Sequence, residues 1–416
     1  MSLPHDEGIC LACRPLGVRP LNVRLIWPAR AIHEAHPDIE VVINEPRKDA
    51  DTGLRVIMKG DAVIEAHCPE DADLLVFQRP TVPDVAAAIP FWRAKGVAVV
   101  VDLDDDLSHI DPANPAWVMM HPDRRSGRLW SYESDSTRQH IAEMVLTRLR
   151  AEGRDPDALS QSMLNRLALD LYVKFLGSFP RHSWLAAKEA AASATLTTVS
   201  TPALAGRYGR GNARVIENYV PARFLDTPHE DSDLVGWPGS THSHPGDLAV
   251  MGGAVASLLR DGGRFLVVGD STGADRELGV EVPMTGPIGY DGWIEAVAQL
   301  GVGVAPLAES RFNEAKSWLK PLELSAAGVP WVASPRPEYQ RLAALGCGAL
   351  AAKPKDWLRA LRSLVRDPAL RAEQSAAGRE VAGRLTVEGN AWRTAEVWAE
   401  AVEIERAWRP QAVSGR

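Results

Sequence analysis

Short runs of apolar residues recur along the first half of the chain, each long enough for a buried strand. Between them lie stretches with apolar positions at helical spacing. Ile9–Arg14 reads as a strand and runs into a loop rich in Gly, Pro and Arg, Arg14–Arg24. The pattern then predicts a helix over Pro28–His36, strands over Ile39–Asn44 and Leu74–Phe77, a helix over Val82–Lys95 and a strand over Val97–Val101. That order implies a parallel sheet with crossover helices, whose functional loops follow the strands. Asn114–Ser183 breaks the alternation. It is polar, then helical over Gln139–Arg150 and Leu159–Leu176, and reads as a helical insertion. The alternation resumes with helix Trp184–Ala194, strand Leu196–Val199, helix Pro202–Tyr208 and strand Arg214–Ile216.

Pro221–Asp233 is rich in Pro and Asp and reads as a linker. A second series follows, with strands over Leu234–Trp237, Arg264–Val268, Gly301–Ala305 and Trp331–Ser334. The chain after Pro354 is helical and charged. The expected organisation is α/β: a Rossmann-like domain over residues 1–225 with an insertion at about 114–183, a second over 226–385, and a C-terminal helix over 386–416 that crosses back to the first. No solenoid-type repeat is present. Two such halves enclose a cleft suited to a nucleotide on one side and a second substrate on the other.

The length of 416 residues agrees with two domains, and 45% hydrophobic with 24% charged residues is the balance of a globular chain. A formal charge of −8 argues against nucleic acid or an anionic membrane as the main partner. Arg far outnumbers Lys, the coding bias of a GC-rich genome, which makes single lysines more informative. The four cysteines are too few to staple such a chain and suit a reducing compartment. Cys10 and Cys13 have ligand-like spacing but sit in a strand, so a structural role is expected. The first residues lack the apolar core of a signal peptide and no apolar run is long enough to span a membrane. The expectation is a cytoplasmic protein, with peripheral membrane contact left open. Thirteen Trp against 6 Tyr and 7 Phe is unusual, and Trp is a good stacking surface for sugars and bases.

The chemistry concentrates in Arg311–Ser334. Pro321 suits the first position of a helix that then runs through Leu322–Ala327, and Gly328 suits its end. The helix N-terminus offers unsatisfied N–H groups and partial positive charge. Lys316 and Lys320 stand before it, so backbone donors and two ammonium groups make a diphosphate site. Glu323 falls early in the helix, where a carboxylate accepts from ribose hydroxyls. A first-turn acid favoured by the helix dipole and a solvated lysine loop are the plainer readings. A second candidate is the strand Leu234–Trp237 running into a loop of small residues, in which Gly239, Ser240 and His244 can approach a phosphate closely. A third is Val99–Leu107, where Asp102, Asp104, Asp105 and Asp106 close a buried strand. Asp104 or Asp105 is placed to orient or deprotonate an acceptor hydroxyl.

The run Phe312-Asn313, Ala315-Lys316-Ser317, Leu319-Lys320, Leu322-Glu323, Ala326, Gly328-Val329-Pro330 and Ala333-Ser334 resembles the donor-site segment of GT-B glycosyltransferases. It is most similar to family 4 types acting on surface polysaccharides or encoded by phages. The resemblance implies that Glu323 binds the ribose of a nucleotide sugar and that Ser317 and Trp318 lie at the donor. It implies a nucleotide-diphosphate sugar as donor, a protein or glycan hydroxyl as acceptor, no separate cofactor or metal, and retention of configuration. Many members carry a second Glu where this chain has Ala315, with Glu314 beside it. Val199–Leu204 and Val215–Pro221 resemble the end of the family's first half, with Asn218 expected to stabilise a turn. On this reading Lys316, Lys320 and the helix N-terminus stabilise the leaving diphosphate. Three rivals stand beside it: a non-catalytic nucleotide- or sugar-binding protein on the same fold, a GT-A enzyme using Asp102-Leu-Asp104 as a metal clamp, and a HAD-type phosphatase with Asp102 as nucleophile and Asp104 as acid/base.

Overall fold

The computed structural model describes residues 8–13, 22–44, 53–59, 62–114, 116–120, 135–160, 163–164, 167–168, 183–289 and 292–408. Six parallel strands form a first sheet: β1 (Gly8–Cys13), β2 (Glu40–Asn44), β5 (Ala72–Gln78), β6 (Ala98–Leu103), β7 (Leu196–Val199) and β8 (Ala213–Val215), in the order β2-β1-β5-β6-β7-β8. Every residue of β6 is buried, because helices cover both faces. The alternation along the strands shows the two layers. Leu75, Phe77, Val99 and Val101 face helices Pro83–Ala94 and Ser183–Ser193. Leu74, Val76, Ala98 and Val100 face helix Trp27–Ala35 and the last helix, Val387–Trp408.

A second parallel sheet holds β9 (Leu234–Pro238), β10 (Arg264–Val268), β11 (Val302–Ala305), β12 (Trp331–Ala333) and β13 (Ala349–Leu350), in the order β10-β9-β11-β12-β13. Its core includes Trp237, Trp331 and Trp357, each buried. Most tryptophans of the chain that the structure describes thus serve packing.

Most strands lie within two residues of the spans read from the sequence, since a strand buried on both faces writes a continuous apolar run. The hairpin β3 (Arg55–Lys59) and β4 (Ala62–His67) was not foreseen. Its residues are mostly half-exposed, so polar and apolar positions mix. It packs on helix Pro83–Ala94, where Trp92 Nε1 donates to the His67 carbonyl at 3.0 Å. Helix Gln139–Arg150 is observed as Asp135–Ala151. The span Leu159–Leu176 lies largely outside the described residues, as does most of Arg14–Arg24. Cys10 and Cys13 lie on β1. No helix among the described residues is long and apolar enough to cross a membrane.

Helix Val387–Trp408 follows the second sheet in sequence but packs on the first. Ala391, Ala395, Trp398, Ala401 and Val402 join the core formed by Leu25, Ile32, Leu74 and Val100. Buried Glu405 accepts from Arg93 Nε at 2.9 Å and Thr195 Oγ1 at 2.7 Å. Replacing a fully buried aromatic ring leaves a cavity that its neighbours fill only in part, so Trp398→Ala is expected to cost about 3–5 kcal/mol. Chemical unfolding followed by circular dichroism will show this as a lower midpoint; an unchanged midpoint would contradict the packing.

Candidate active site

The loops that follow the strands of the two sheets meet across a cavity of about 370 Å³. From the first half come Arg79 after β5, Asp104 and Asp105 after β6, and Asn218 after β8. From the second come His244 after β9, and Lys316, Ser317 and Lys320 from the segment after β11. Leu107, Ile110, Met120 and Phe312 supply an apolar wall.

Charge organises this cavity. Lys316 Nζ reaches across to Asp105 Oδ1 at 2.7 Å. Arg79 holds both acids, Nε to Asp104 Oδ1 at 2.5 Å and a terminal nitrogen to Asp105 Oδ2 at 2.5 Å. Burial alone would raise the Asp105 carboxyl, but Lys316 and Arg79 outweigh it and hold it below the ordinary carboxylate range. Burial pushes Asp104 the other way, against the pull of Arg79. Arg79 itself is raised, since the two acids outweigh the cost of burying its charge. Its backbone lies at φ 46, in the left-handed region, although it is not a glycine and precedes Pro80. Such a conformation persists only where the surroundings fix it. Here the Arg79 amide donates to the Asp102 carbonyl at 2.9 Å while the guanidinium is clamped by the acids.

Beneath this layer, Arg24 pairs with Asp102 at 2.6 Å and donates to Asn218 Oδ1 at 3.0 Å. Asn218 Nδ2 in turn donates to Ser317 Oγ at 2.7 Å, and the Asn218 carbonyl accepts from Trp318 Nε1 at 2.8 Å. One asparagine therefore ties both halves together, a larger role than the turn expected of it.

Helix Leu319–Ala326 begins two residues before Pro321, the start read from the sequence. Pro321 sits within the first turn, where a missing N–H breaks no helical bond. Lys320 is therefore helical, and its ammonium lies 4.8 Å from the centre of the Trp237 ring. Gly239 makes this approach feasible, because a Cβ there would lie 2.6 Å from the Trp237 ring and 3.0 Å from Lys320 Nζ. Gly328 ends the segment at φ 77, as foreseen.

No protein-family model matches the sequence, and no curated protein is similar to it in sequence. Solved structures share its fold. The chain is similar to HepE (Alr3699) of Anabaena, with a TM-score of 0.53 and 14% identity, covering 95% of this chain and 100% of that one. It is similar to sucrose-phosphate synthase of Thermosynechococcus elongatus, with a TM-score of 0.52 and 14% identity over 95% and 98% of the two chains. AviGT4, a glycosyltransferase of avilamycin A biosynthesis, aligns with a TM-score of 0.50 and 15% identity over the same shares, 95% and 98%.

The chain has the GT-B fold.

The GT-B cleft gathers Lys316, Lys320, Asp104, Asp105, Ser317 and His244 around one cavity. Gly239 lies just behind, under Lys320, and the Ser240 carbonyl caps the loop turn by accepting from the His244 amide at 3.1 Å. Two residues sit elsewhere. Trp318 is buried at 4% exposure and carries Arg341 on its ring at 4.9 Å, so core packing claims it and it does not line the cavity. Glu323 is buried at 2% exposure and its Oε2 accepts from Trp293 Nε1 at 3.3 Å, one turn further along the helix than the lysine. Glu314 points away from the cavity toward Arg207 at 3.4 Å, and Ala315 is buried where the resemblance puts a Glu in many members. Asp102 is 1% exposed under Arg24 and Thr198, out of reach of a substrate phosphorus, and both bond its carboxylate while that of Asp104 is held by Arg79. Neither the phosphatase nucleophile nor the Asp102–Asp104 metal clamp fits that placement.

Arg79 and Asp247 were not found from the sequence. Arg79 has one visible signal, a basic residue directly after a buried parallel strand. Asp247 is buried at 1% exposure; its Oδ1 accepts from the Ala308 amide at 2.7 Å and Asn313 Nδ2 at 2.8 Å, and its Oδ2 faces His244 Nδ1 at 3.0 Å.

Burial, followed by the nearby Lys320, lowers His244 to about 4 against the Asp247 contact that raises it. The unfolded chain takes up that proton near the ordinary 6.5, so the native state is short of a proton between the two values. Stability from this group is complete above 6.5 and is lost as pH falls toward about 4, a change on the order of 3 kcal/mol. His244→Asn, which keeps a donor for Asp247, is expected to flatten the melting temperature across this window. Equal acid sensitivity of both proteins would rule out this origin.

Proposed function

We propose that the protein is a GT-B glycosyltransferase that moves a sugar from a nucleotide-diphosphate sugar to a hydroxyl acceptor. The observation that carries the reading is the placement of Lys316, Lys320 and the N-terminus of helix Leu319–Ala326 on one cavity, opposite the acidic loop of the other half. HepE has been solved with UDP and with UDP-glucose, which supports a nucleoside diphosphate at the corresponding end of this cleft. The donor's diphosphate displaces Asp105 as the partner of Lys316.

In the transfer step the bond from the anomeric carbon to the diphosphate oxygen breaks and a bond to the acceptor oxygen forms. Negative charge grows on the leaving diphosphate, where the two ammonium groups and the helix N–H groups meet it. Arg79 still holds Asp105 once the diphosphate has taken Lys316, so we assign the acceptor's proton to an oxygen of the departing phosphate. That route keeps both groups on one face of the sugar and gives retention. Charge stabilisation comes from side chains and backbone, so the step draws on no metal. The apolar wall of Leu107, Ile110 and Met120 lies on the acceptor side, in a glycan- or protein-modifying enzyme of family 4 type. Glu323 is assigned to the nucleotide end through its position on the donor helix. The buried Ala315 is the one observation that favours a protein that binds nucleotide sugars without transferring them.

A thermal-shift screen over UDP-, GDP- and ADP-sugars, followed by hydrolysis and transfer assays with the stabilising donor, tests the proposal. Stabilisation by at least one nucleotide sugar with turnover is expected, and neither occurring would overturn it. Lys316→Met and Lys320→Met keep the apolar stems and should each lower turnover by roughly 10²–10³-fold, as loss of one charge-stabilising donor does elsewhere.

A further inference from the structure

The loop carrying His244 is held more firmly than a surface turn needs. Glu277 accepts from the Gly246 amide at 2.8 Å and the Leu248 amide at 3.0 Å. Asp247 is anchored by the Ala308 amide and Asn313, from the segment after β11, and spends its remaining oxygen on His244 Nδ1. A ring that donates its Nδ1 proton to a carboxylate carries its lone pair on Nε2, at the far corner of the imidazole. His244 lines the cavity and its Nδ1 is taken by Asp247, which leaves Nε2 as the ring nitrogen for a ligand there. The charged groups around the ring are Asp247 on its own loop, Lys316 and Lys320 on the facing segment, and Asp105 across the cleft, with Arg79 and Asp104 behind.

We infer that His244, oriented by Asp247, is a proton-coupled contact for the donor's diphosphate: neutral in the empty cleft, it takes up one proton when a diphosphate seats on Lys316 and Lys320, and then donates from Nε2 to a phosphate oxygen. The inference rests on the glycosyltransferase reading and adds to it a positioning residue, Asp247, and a proton balance. In the empty cleft burial and the two ammonium groups oppose an imidazolium. A diphosphate esterified at both ends brings two negative charges. They offset the lysines, while the Asp247 carboxylate remains at Nδ1 to favour the charged ring. By linkage, donor affinity then rises as pH falls, by up to about tenfold per unit wherever one proton is taken up. The proton sits on the ring, not on the substrate, so no bond is made or broken in this step.

Calorimetry in buffers of different ionisation enthalpy reads the proton count directly. UDP-glucose, GDP-mannose and ADP-glucose are the probes, because their esterified phosphates do not titrate near neutrality. Uptake of about one proton per bound donor at about pH 6, fading by about pH 8, is expected for the wild type. His244→Asn should bind without uptake, and Asp247→Asn should shift the uptake to lower pH. The ring ¹⁵N shifts of His244 in the unmodified protein, moving on donor addition from neutral to protonated values, supply the same readout without a substitution. A probe that binds with no proton uptake, or uptake unchanged in His244→Asn, overturns the inference and leaves the glycosyltransferase reading standing. Binding of none of the three probes removes that reading and this inference together.

Discussion

Two α/β halves meet here through a row of half-buried charges, and the arrangement of the cleft follows from how those charges are partnered. Lys316, Asp105, Arg79 and Asp104 form an alternating chain across the gap. A half-buried ion left without its partner loses hydration that nothing replaces, so each member depends on the next. The chain therefore fixes the register of the halves more closely than apolar contact would. On the proposed function it also holds in reserve the cation for the donor's diphosphate, since an incoming anion exchanges for one carboxylate rather than entering an apolar space. A second row below it, Arg24, Asp102 and Asn218, ties the strand ends of the first half to Ser317 and Trp318 of the second.

The sheets were legible in the sequence because their strands are buried on both faces. A run such as Ala98–Leu103 has no solvent-facing positions to interrupt it. The half-exposed hairpin β3–β4 left only a mixed pattern, and β13 spans two residues, too few for any period to register. The helix Leu319–Ala326 was legible in kind and shifted at its start, because proline is tolerated throughout a first turn rather than only at its first position.

Site residues were legible where the chemistry is local. Lys316, Ser317 and Lys320 lie in one short string, and the cleft brings them onto one wall. Arg79 and Asp247 were not, because their meaning comes from partners on other elements: Arg79 meets Asp104 and Asp105, 25 and 26 residues away, and Asp247 meets Ala308, 61 residues away. Trp318 shows the opposite error, a residue in the right string whose side chain packs inward. Local spacing reports which backbone passes the cleft; it does not report which way a side chain on that backbone turns.

The crossing of helix Val387–Trp408 has a consequence for how the protein is made. It supplies one covering layer of the first sheet, burying Leu74, Val76 and Val100. During synthesis those strands emerge early and have only helix Trp27–Ala35 on that side until the residues after 386 have left the ribosome, by which time the second half has had every opportunity to fold. The first half thus reaches its native packing last, although it is made first, and its apolar strands spend the interval in need of temporary shelter.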